Sequence, residues 1–347
     1  MADYAQALLT ALRGRVNVAV DAPAADVHLY QLGNNPLHRA MHDRSLANPG
    51  VILLHDANLH HYYLGALSRE QYIAEFTRQY GEWHKATAAA LWERRALSGA
   101  DAAYFDYPML GRVVERAQAV IVHNRGAARR VEALRPAAPV YSLPHLLELP
   151  AEASRQQVAA WRAEHGLEGC FAVAVFGHLR PTKRVASVLR AVSRLKDAYP
   201  RLRLVVAGEA VSAEYAASLA EMTGVVRFGY QHEEAFTLAL QAVDAVVSLR
   251  YPSSGETSGI TLRAMAAARP VLVTEGDEHA AIPEAALCRI EPGVGEPEHL
   301  AHVLALLVEN PSYRQCIGAQ ARAHIAQKHA PERVAAELEA ILRATIR

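Results

Sequence analysis

Phe171-Ala172-Val173-Ala174-Val175-Phe176-Gly177-His178-Leu179-Arg180-Pro181-Thr182-Lys183-Arg184 runs from an apolar block through a glycine into a basic loop. The apolar block has the length of a fully buried strand. Gly177 permits a tight exit from it, and the spacing of 185–198 predicts a helix just beyond. His178, Arg180, Lys183 and Arg184 therefore gather cationic or protonatable groups on one loop at a helix start. A diphosphate is held by such a combination, positive side chains beside the unpaired N–H groups of a helix N-terminus. A solvated basic loop has the same composition, so this stretch alone leaves both readings open.

Outward from it, strand and helix alternate. Strand Leu202–Ala207 ends at Gly208, then follow helix 212–222, strand Val225–Phe228, helix 233–242, strand Ala245–Leu249, helix 259–268 and strand Pro270–Thr274. This order predicts an α/β fold with a parallel sheet covered by helices on both faces. Three helices, 297–309, 311–328 and 331–346, close the chain. Upstream, a helix over 4–13 precedes short apolar runs at Val16–Val20, Val27–Leu32, Val51–Leu54 and Ala119–His123, with a weaker one at Val140–Leu143. Tyr72, Phe76, Tyr80 and Trp83 recur at helical spacing within 66–98 and predict one core-facing helix side. Pro144, Pro150 and the run Glu148–Glu152 interrupt the pattern. The expected domains are 1–150 and 151–330, with a terminal helix in 331–347 returning towards the first. Two doubly wound domains of this kind hold ligands at the C-terminal ends of their strands, in the cleft between them.

A second loop, Arg250-Tyr251-Pro252-Ser253-Ser254-Gly255-Glu256-Thr257-Ser258-Gly259-Ile260, again separates a strand from a helix. Gly255 and Gly259 let the backbone approach a ligand. Thr257 or Ser258 is placed to cap the helix. Glu256 is either a helix-dipole carboxylate or, beside an anion site, a group that accepts hydrogen bonds from sugar hydroxyls. Each loop ends a strand of one sheet, so both open onto the same edge.

The 347 residues suit two domains better than one core. Hydrophobic residues make up 51% and charged residues 21%, a globular composition. Lys+Arg and Asp+Glu both count 36, which argues against nucleic-acid binding by bulk charge. Cys170, Cys288 and Cys316 are far apart, which disfavours a disulfide framework or a zinc knuckle. No apolar run approaches the ~20 residues of a membrane span, and the N-terminus lacks a signal-peptide pattern. A cytoplasmic location is expected, with amphipathic segments leaving room for peripheral membrane contact.

With both loops in view, the second half resembles the C-terminal domain of retaining GT-B glycosyltransferases of family 4. Their G-R-L-x-x-x-K-G pattern corresponds to Gly177–Arg184, and their P-S-x-x-E-G-F-G stretch to Pro252–Gly259, with Arg263-Ala264-Met265-Ala266 following. The likeness is strong in 171–275 and extends in fragments through the first half. These are Ala2-Asp3-Tyr4, Tyr30-Gln31-Leu32-Gly33-Asn34-Asn35, His55-Asp56 with His60-His61, and Val120–Asn124.

The resemblance implies a nucleotide-diphosphate sugar as donor and a glycan or lipid-linked acceptor, with a role in cell-surface polysaccharide biosynthesis and neither cofactor nor metal. It implies that Lys183 pairs with the diphosphate and that Glu256 holds donor-sugar hydroxyls. The N–H groups of Ser258 and Gly259 would face sugar or phosphate, and Thr257 and Gly177 would line the same site. His55 matches the family's histidine near the donor sugar. Tyr230 would lie at the nucleobase. His178 stands where the family carries Arg, and Arg180 is a candidate for the missing cation. The family's second Glu, which binds ribose, has no match; Arg263 occupies that region. Family members also place a strand and a glycine-rich loop ahead of the Ala2-Asp3-Tyr4 segment, whereas Met1 stands there here. Two expectations follow: either the sequence begins late and the first strand is truncated, or the first sheet lacks its usual first strand and has a central gap. These departures motivate a rival expectation, a GT-B-shaped binding or scaffold protein without transfer activity. A sugar-nucleotide epimerase of the same shape is disfavoured by the match of both loops. His55–His61 offers only Asp56/His60 at i, i+4 and is not expected to bind metal.

Overall fold

The computed structural model describes residues 2–134, 139–220 and 224–346. The first domain carries four parallel strands, β1 (Leu29–Leu32), β2 (Val51–Leu54), β3 (Ala119–Val122) and β4 (Val140–Ser142), in spatial order β1-β2-β3-β4. The second carries β5 (Phe171–Phe176), β6 (Leu202–Ala207), β7 (Val225–Phe228), β8 (Ala245–Ser248), β9 (Val271–Thr274) and β10 (Cys288–Ile290), in order β10-β9-β8-β5-β6-β7. All pairs are parallel. The strands read as continuous apolar runs because both faces are covered: β2, β3 and β8 are buried at every position. The α/β GT-B expectation, two Rossmann-like domains, is met.

Three expectations need correction, and one strand is new. Val16–Val20 forms no strand; Val18 and Val20 are 41% and 69% exposed, and no neighbouring strand takes up its backbone groups. The first sheet has no central gap, since its strands pair side by side and β1 lies at the edge. Trp83 follows the helix Arg69–Tyr80 beyond Gly81 (φ 95°), so it leaves the helical phase of Tyr72 and Phe76 and is 81% exposed. Strand β10 was not expected; its three residues pair with β9 and are too few to carry a periodicity. Of the predicted helix 212–222, Ala213–Ala220 is helical, and 221–222 lie outside the described residues.

In the second sheet the chain leaves β5 to build β6 and β7 on one side. It then crosses to build β8, β9 and β10 on the other. The direction of winding therefore reverses between β5 and β8, and such a switch point leaves a crevice beyond the strand C-termini. The loops 177–184 and 249–258 flank it. The last helix, Pro331–Thr345, crosses back to the first domain. Its Val334, Ala335, Leu338 and Leu342 pack with Tyr4, Leu8 and Leu12 of helix Ala2–Leu12 and with Val51, Leu53 and Ile121 beneath the first sheet. The three cysteines are free. No helix among the described residues is long and apolar enough to cross a membrane.

Candidate functional site

Gly177 leaves β5 at φ 88°, and a Cβ there would stand 3.3 Å from the Ile260 side chain and 3.6 Å from Lys183 Nζ. The short helical turn Pro181–Lys183 then folds Lys183 back beneath the loop. Its ammonium is buried and donates to the carbonyl of Phe176 at 2.6 Å, at the end of β5. Burial, followed by the positive charges of Arg250 and Arg180, lowers its pKa to about 7, against a raising contribution from Glu256. Arg184 takes φ 56°, the left-handed region, where the family pattern has glycine. The buried carboxylate of Glu296 holds its guanidinium at 2.8 Å. His178 and Arg180 are exposed at the mouth of the loop.

Across the switch point, Ser258 caps helix Gly259–Ala266 by accepting from Thr261 N–H at 3.2 Å. Its hydroxyl also meets Ser248 at 3.2 Å, which ties the cap to the end of β8. Gly259 is the first helical residue, a position whose N–H has no partner within the helix, and a Cβ there would meet nothing within 4 Å. Glu256 bonds Arg250 and accepts from Ser254 N–H at 2.9 Å. Burial disfavours its ionisation, but Arg250, a backbone hydrogen bond and Arg180 together lower its pKa. Lys183, Arg180, Arg250, Glu256 and the Ser258 cap therefore form one electrostatic cluster.

The first domain closes over this loop. Asn124, at the end of β3, caps the helix Arg125–Leu134 through Oδ1, which accepts from Ala127 N–H at 2.8 Å. Its Nδ2 donates across the cleft to Gly255 O at 2.9 Å and Thr257 Oγ1 at 3.1 Å. Arg129 bridges to Asp277 at 2.6 Å. The approach requires small residues: a Cβ on Gly255 would stand 3.0 Å from Ala57 Cβ, and one on Gly126 2.9 Å from Asp277 Cβ. A cavity of about 300 Å³ lies between the domains, with Phe105, Asp106 and Arg130 on one side and Arg250, Ser253 and Glu256 on the other.

His55 does not point to the donor loops. Its Nε2 meets Gln31 Oε1 at 3.1 Å, and its ring packs edge-on to Tyr4 at 5.1 Å and beside His123 at 5.3 Å. Burial first, then His123, lowers its pKa to about 3, so the ring is neutral. The groups of this segment that feel the cluster are Asp56 and His61. Burial and then Glu256 raise the Asp56 pKa to about 6, against a 2.8 Å hydrogen bond from Asn34 N–H. Asn34 Nδ2 also lies 3.0 Å from His61 Nδ1, and its Oδ1 accepts from Tyr62 N–H at 2.9 Å. In the sequence, nothing local marks Asn34, Asp56, His61, Asn124 or Arg250 for a role. Only their convergence in space singles them out.

Tyr230 is 70% exposed on the loop after β7, with its ring 5.8 Å from that of His232. The Arg263 guanidinium is bound to Glu233 at 2.8 Å and sits 5.8 Å over the Phe236 ring. Among the described residues, no group of three or more His, Cys, Asp or Glu side chains is placed to hold a metal.

Two facing Rossmann-like domains, joined by a linker and a returning C-terminal helix, with polar loops meeting across the cleft, define the GT-B fold. Residues 157–324 match the family of glycosyl transferases group 1. The whole chain is similar in structure to Anabaena HepE, crystallised with UDP-glucose. That similarity has a TM-score of 0.68 at 16% identity and covers 98% of this chain and 82% of that one. It is also similar to sucrose-phosphate synthase from Thermosynechococcus elongatus, with a TM-score of 0.65 at 14% identity, covering 91% and 73%. WaaG, a glycosyltransferase involved in lipopolysaccharide biosynthesis, is similar with a TM-score of 0.60 at 16% identity, covering 96% and 94%. No curated protein matches the chain in sequence.

Proposed function

We propose that the protein is a retaining, metal-independent glycosyltransferase that moves a sugar from a nucleotide-diphosphate sugar to a hydroxyl of a glycan or lipid-linked acceptor. A role in cell-surface polysaccharide synthesis at the cytoplasmic side of a membrane is part of the same reading. The observation that carries it is the placing of Lys183 and the Glu256–Gly259 loop on either side of the switch point of the second sheet, close enough for Glu256 to act on the Lys183 charge. The match of 157–324 to group 1 glycosyl transferases supports it.

In this reading the C1–O bond to the diphosphate breaks as a C1–O bond to the acceptor forms on the same face. The acceptor proton passes to the departing phosphate oxygen. Lys183, Arg180 and Arg250 stabilise the negative charge that develops there. Arg250 fits the role of a second cation because it bonds Glu256 and, with Arg180, acts on Lys183. Glu256, held ionised, accepts from sugar hydroxyls. Ser258 and Gly259 offer helix N-terminal N–H groups, and Asn124 holds the loop in position from the other domain. The approach of the two domains limits water near the donor.

UDP-glucose is the first donor to try, since HepE was crystallised with it. A thermal-shift panel of nucleotide diphosphates and nucleotide sugars identifies the donor, and Lys183→Ala is expected to abolish its turnover. Unchanged turnover would refute the diphosphate assignment. The second reading, a nucleotide-sugar-binding or scaffold protein without transfer, is favoured by one observation. Arg263, where the family places its ribose-binding Glu, is bound to Glu233. Donor binding without hydrolysis or transfer to any acceptor would select that reading.

A further inference from the structure

A second cavity, of about 520 Å³, lies at the opposite end of the second sheet from the donor loops. Its lining comes from the segment before helix Arg155–Glu164, that helix, Gln241, the turn 267–269 that precedes β9, and Arg322. Strand β5 has six residues, so the two ends are separated by roughly 20 Å. Four arginines line it, Arg155 and Arg162 from helix Arg155–Glu164, Arg269 from the turn before β9 and Arg322 from helix Pro311–Lys328. Glu152, on the segment joining the domains, is the one acidic lining residue. In a chain whose charges balance overall, this is a marked local excess of positive charge.

Part of this arginine cluster has a structural task. Arg162 donates to the carbonyls of Ala242 and Leu167 and pairs with Asp244 at 3.1 Å. Arg269 bonds the carbonyls of Ala267 and Val243, and Arg322 that of Ala266 at 2.6 Å. Apart from that to Leu167, these bonds satisfy carbonyls at helix C-termini, a usual occupation for arginine. They do not use all the donors. Arg322 reaches Glu152 only at 3.5 Å, and that carboxylate is 80% exposed. Arg155 makes no hydrogen bond or ion pair among the described residues and is exposed at the rim. Capping helix ends explains three of the arginines and leaves Arg155 and the volume in front of it without a task.

We propose that this cavity is a second anion-binding site, separate from the donor site, that takes a small multiply charged phosphate compound. Guanidinium groups match the paired oxygens of phosphate. Arg155 supplies the unpaired charge, Arg269 and Arg322 their remaining N–H groups. The concave wall favours a small soluble anion over a flat lipid surface. Because Glu152 and Ala153 line the cavity and Ala153 N–H donates to Gln241 at 2.7 Å, the occupant also touches the interdomain linker.

The test is a calorimetric titration of inorganic pyrophosphate into the full chain. Two sites are expected, one removed by Lys183→Ala and the other by Arg155→Glu. Arg155→Gln, the milder change, is expected to weaken the second site by roughly tenfold or more, the size of one lost charge-assisted contact. Unaltered thermal unfolding of both Arg155 variants would show that they fold. Pyrophosphate binding indifferent to Arg155 in both variants, or no site beyond the one sensitive to Lys183, would overturn the proposal. So would Arg155-dependent retention on phosphatidylglycerol vesicles without any such pyrophosphate site. A site sensitive to Arg155 but none sensitive to Lys183 would uphold it and sink the donor assignment instead.

Discussion

Lys183 should take up a proton when a nucleotide diphosphate binds. Its ordinary pKa of 10.5 is lowered to about 7 by burial and by Arg250 and Arg180. At 5% exposure it has little solvent to screen those charges. A shift of this size corresponds to about 5 kcal/mol between the charged and neutral forms. Beside a diphosphate the charged form is favoured, so the bound-state pKa rises. Below pH 7 the amine is protonated with or without ligand, and this group makes affinity independent of pH. Above pH 7 binding must bring a proton with it, and affinity should fall up to tenfold per pH unit until the bound-state pKa is reached. The ligand's own secondary phosphate pKa, near 6, lies outside that window. Calorimetry of UDP binding at pH 8 in buffers of different ionisation enthalpy should report an uptake approaching one proton. Lys183→Met should remove both the uptake and the slope. No uptake in the wild type, or an equal slope in Lys183→Met, would refute the reasoning. The same shift has a stability consequence of fixed sign. Between about pH 7 and 10.5 the unfolded chain binds the proton that the folded Lys183 has released, so stability should rise with pH through that window.

Glu256→Ala should weaken nucleotide-sugar binding more than binding of the free nucleotide diphosphate; equal losses in a binding titration would count against its contact with sugar hydroxyls. Asn124→Ala breaks two bonds across the cleft and should lower kcat/KM by about tenfold, roughly the worth of one buried hydrogen-bonding group; it also removes the cap of helix Arg125–Leu134 and should lower stability by about 1 kcal/mol in denaturant unfolding. Asp56→Asn should remove any limb near pH 6 from the rate profile, because the carboxyl that titrates there is gone; a profile that keeps the limb would assign it to another group. Leu338→Ala, in the fully buried contact of the last helix with the first domain, should destabilise the chain by about 2–5 kcal/mol in denaturant unfolding.

The alternation of apolar runs with helical spacing was enough to place β5 to β9 and the helices between them, because each buried parallel strand writes its own continuous run of apolar residues. Gly177, Lys183, Glu256 and Ser258 were legible for a related reason, since glycine, cations and capping hydroxyls between a strand and a helix have few local uses. Sequence could not tell Ser258 from Thr257 as the cap, nor His55 from Asp56 as the residue facing the cluster. Neighbouring side chains beyond a strand end diverge, and only the packing of Tyr4 and His123 around His55 decides which one turns inward. The failure of Val16–Val20 to become a strand has the same origin: a strand needs a partner as well as a composition. Tertiary structure alone set the charge of Lys183, which depends on burial and on Arg250 from a loop far along the chain. It alone brought Asn124 to Gly255. The sequence by itself determined which chemical groups this protein carries and on which loops; the approach of the two sheets decided which of them meet, because contact and desolvation are properties of distance in space.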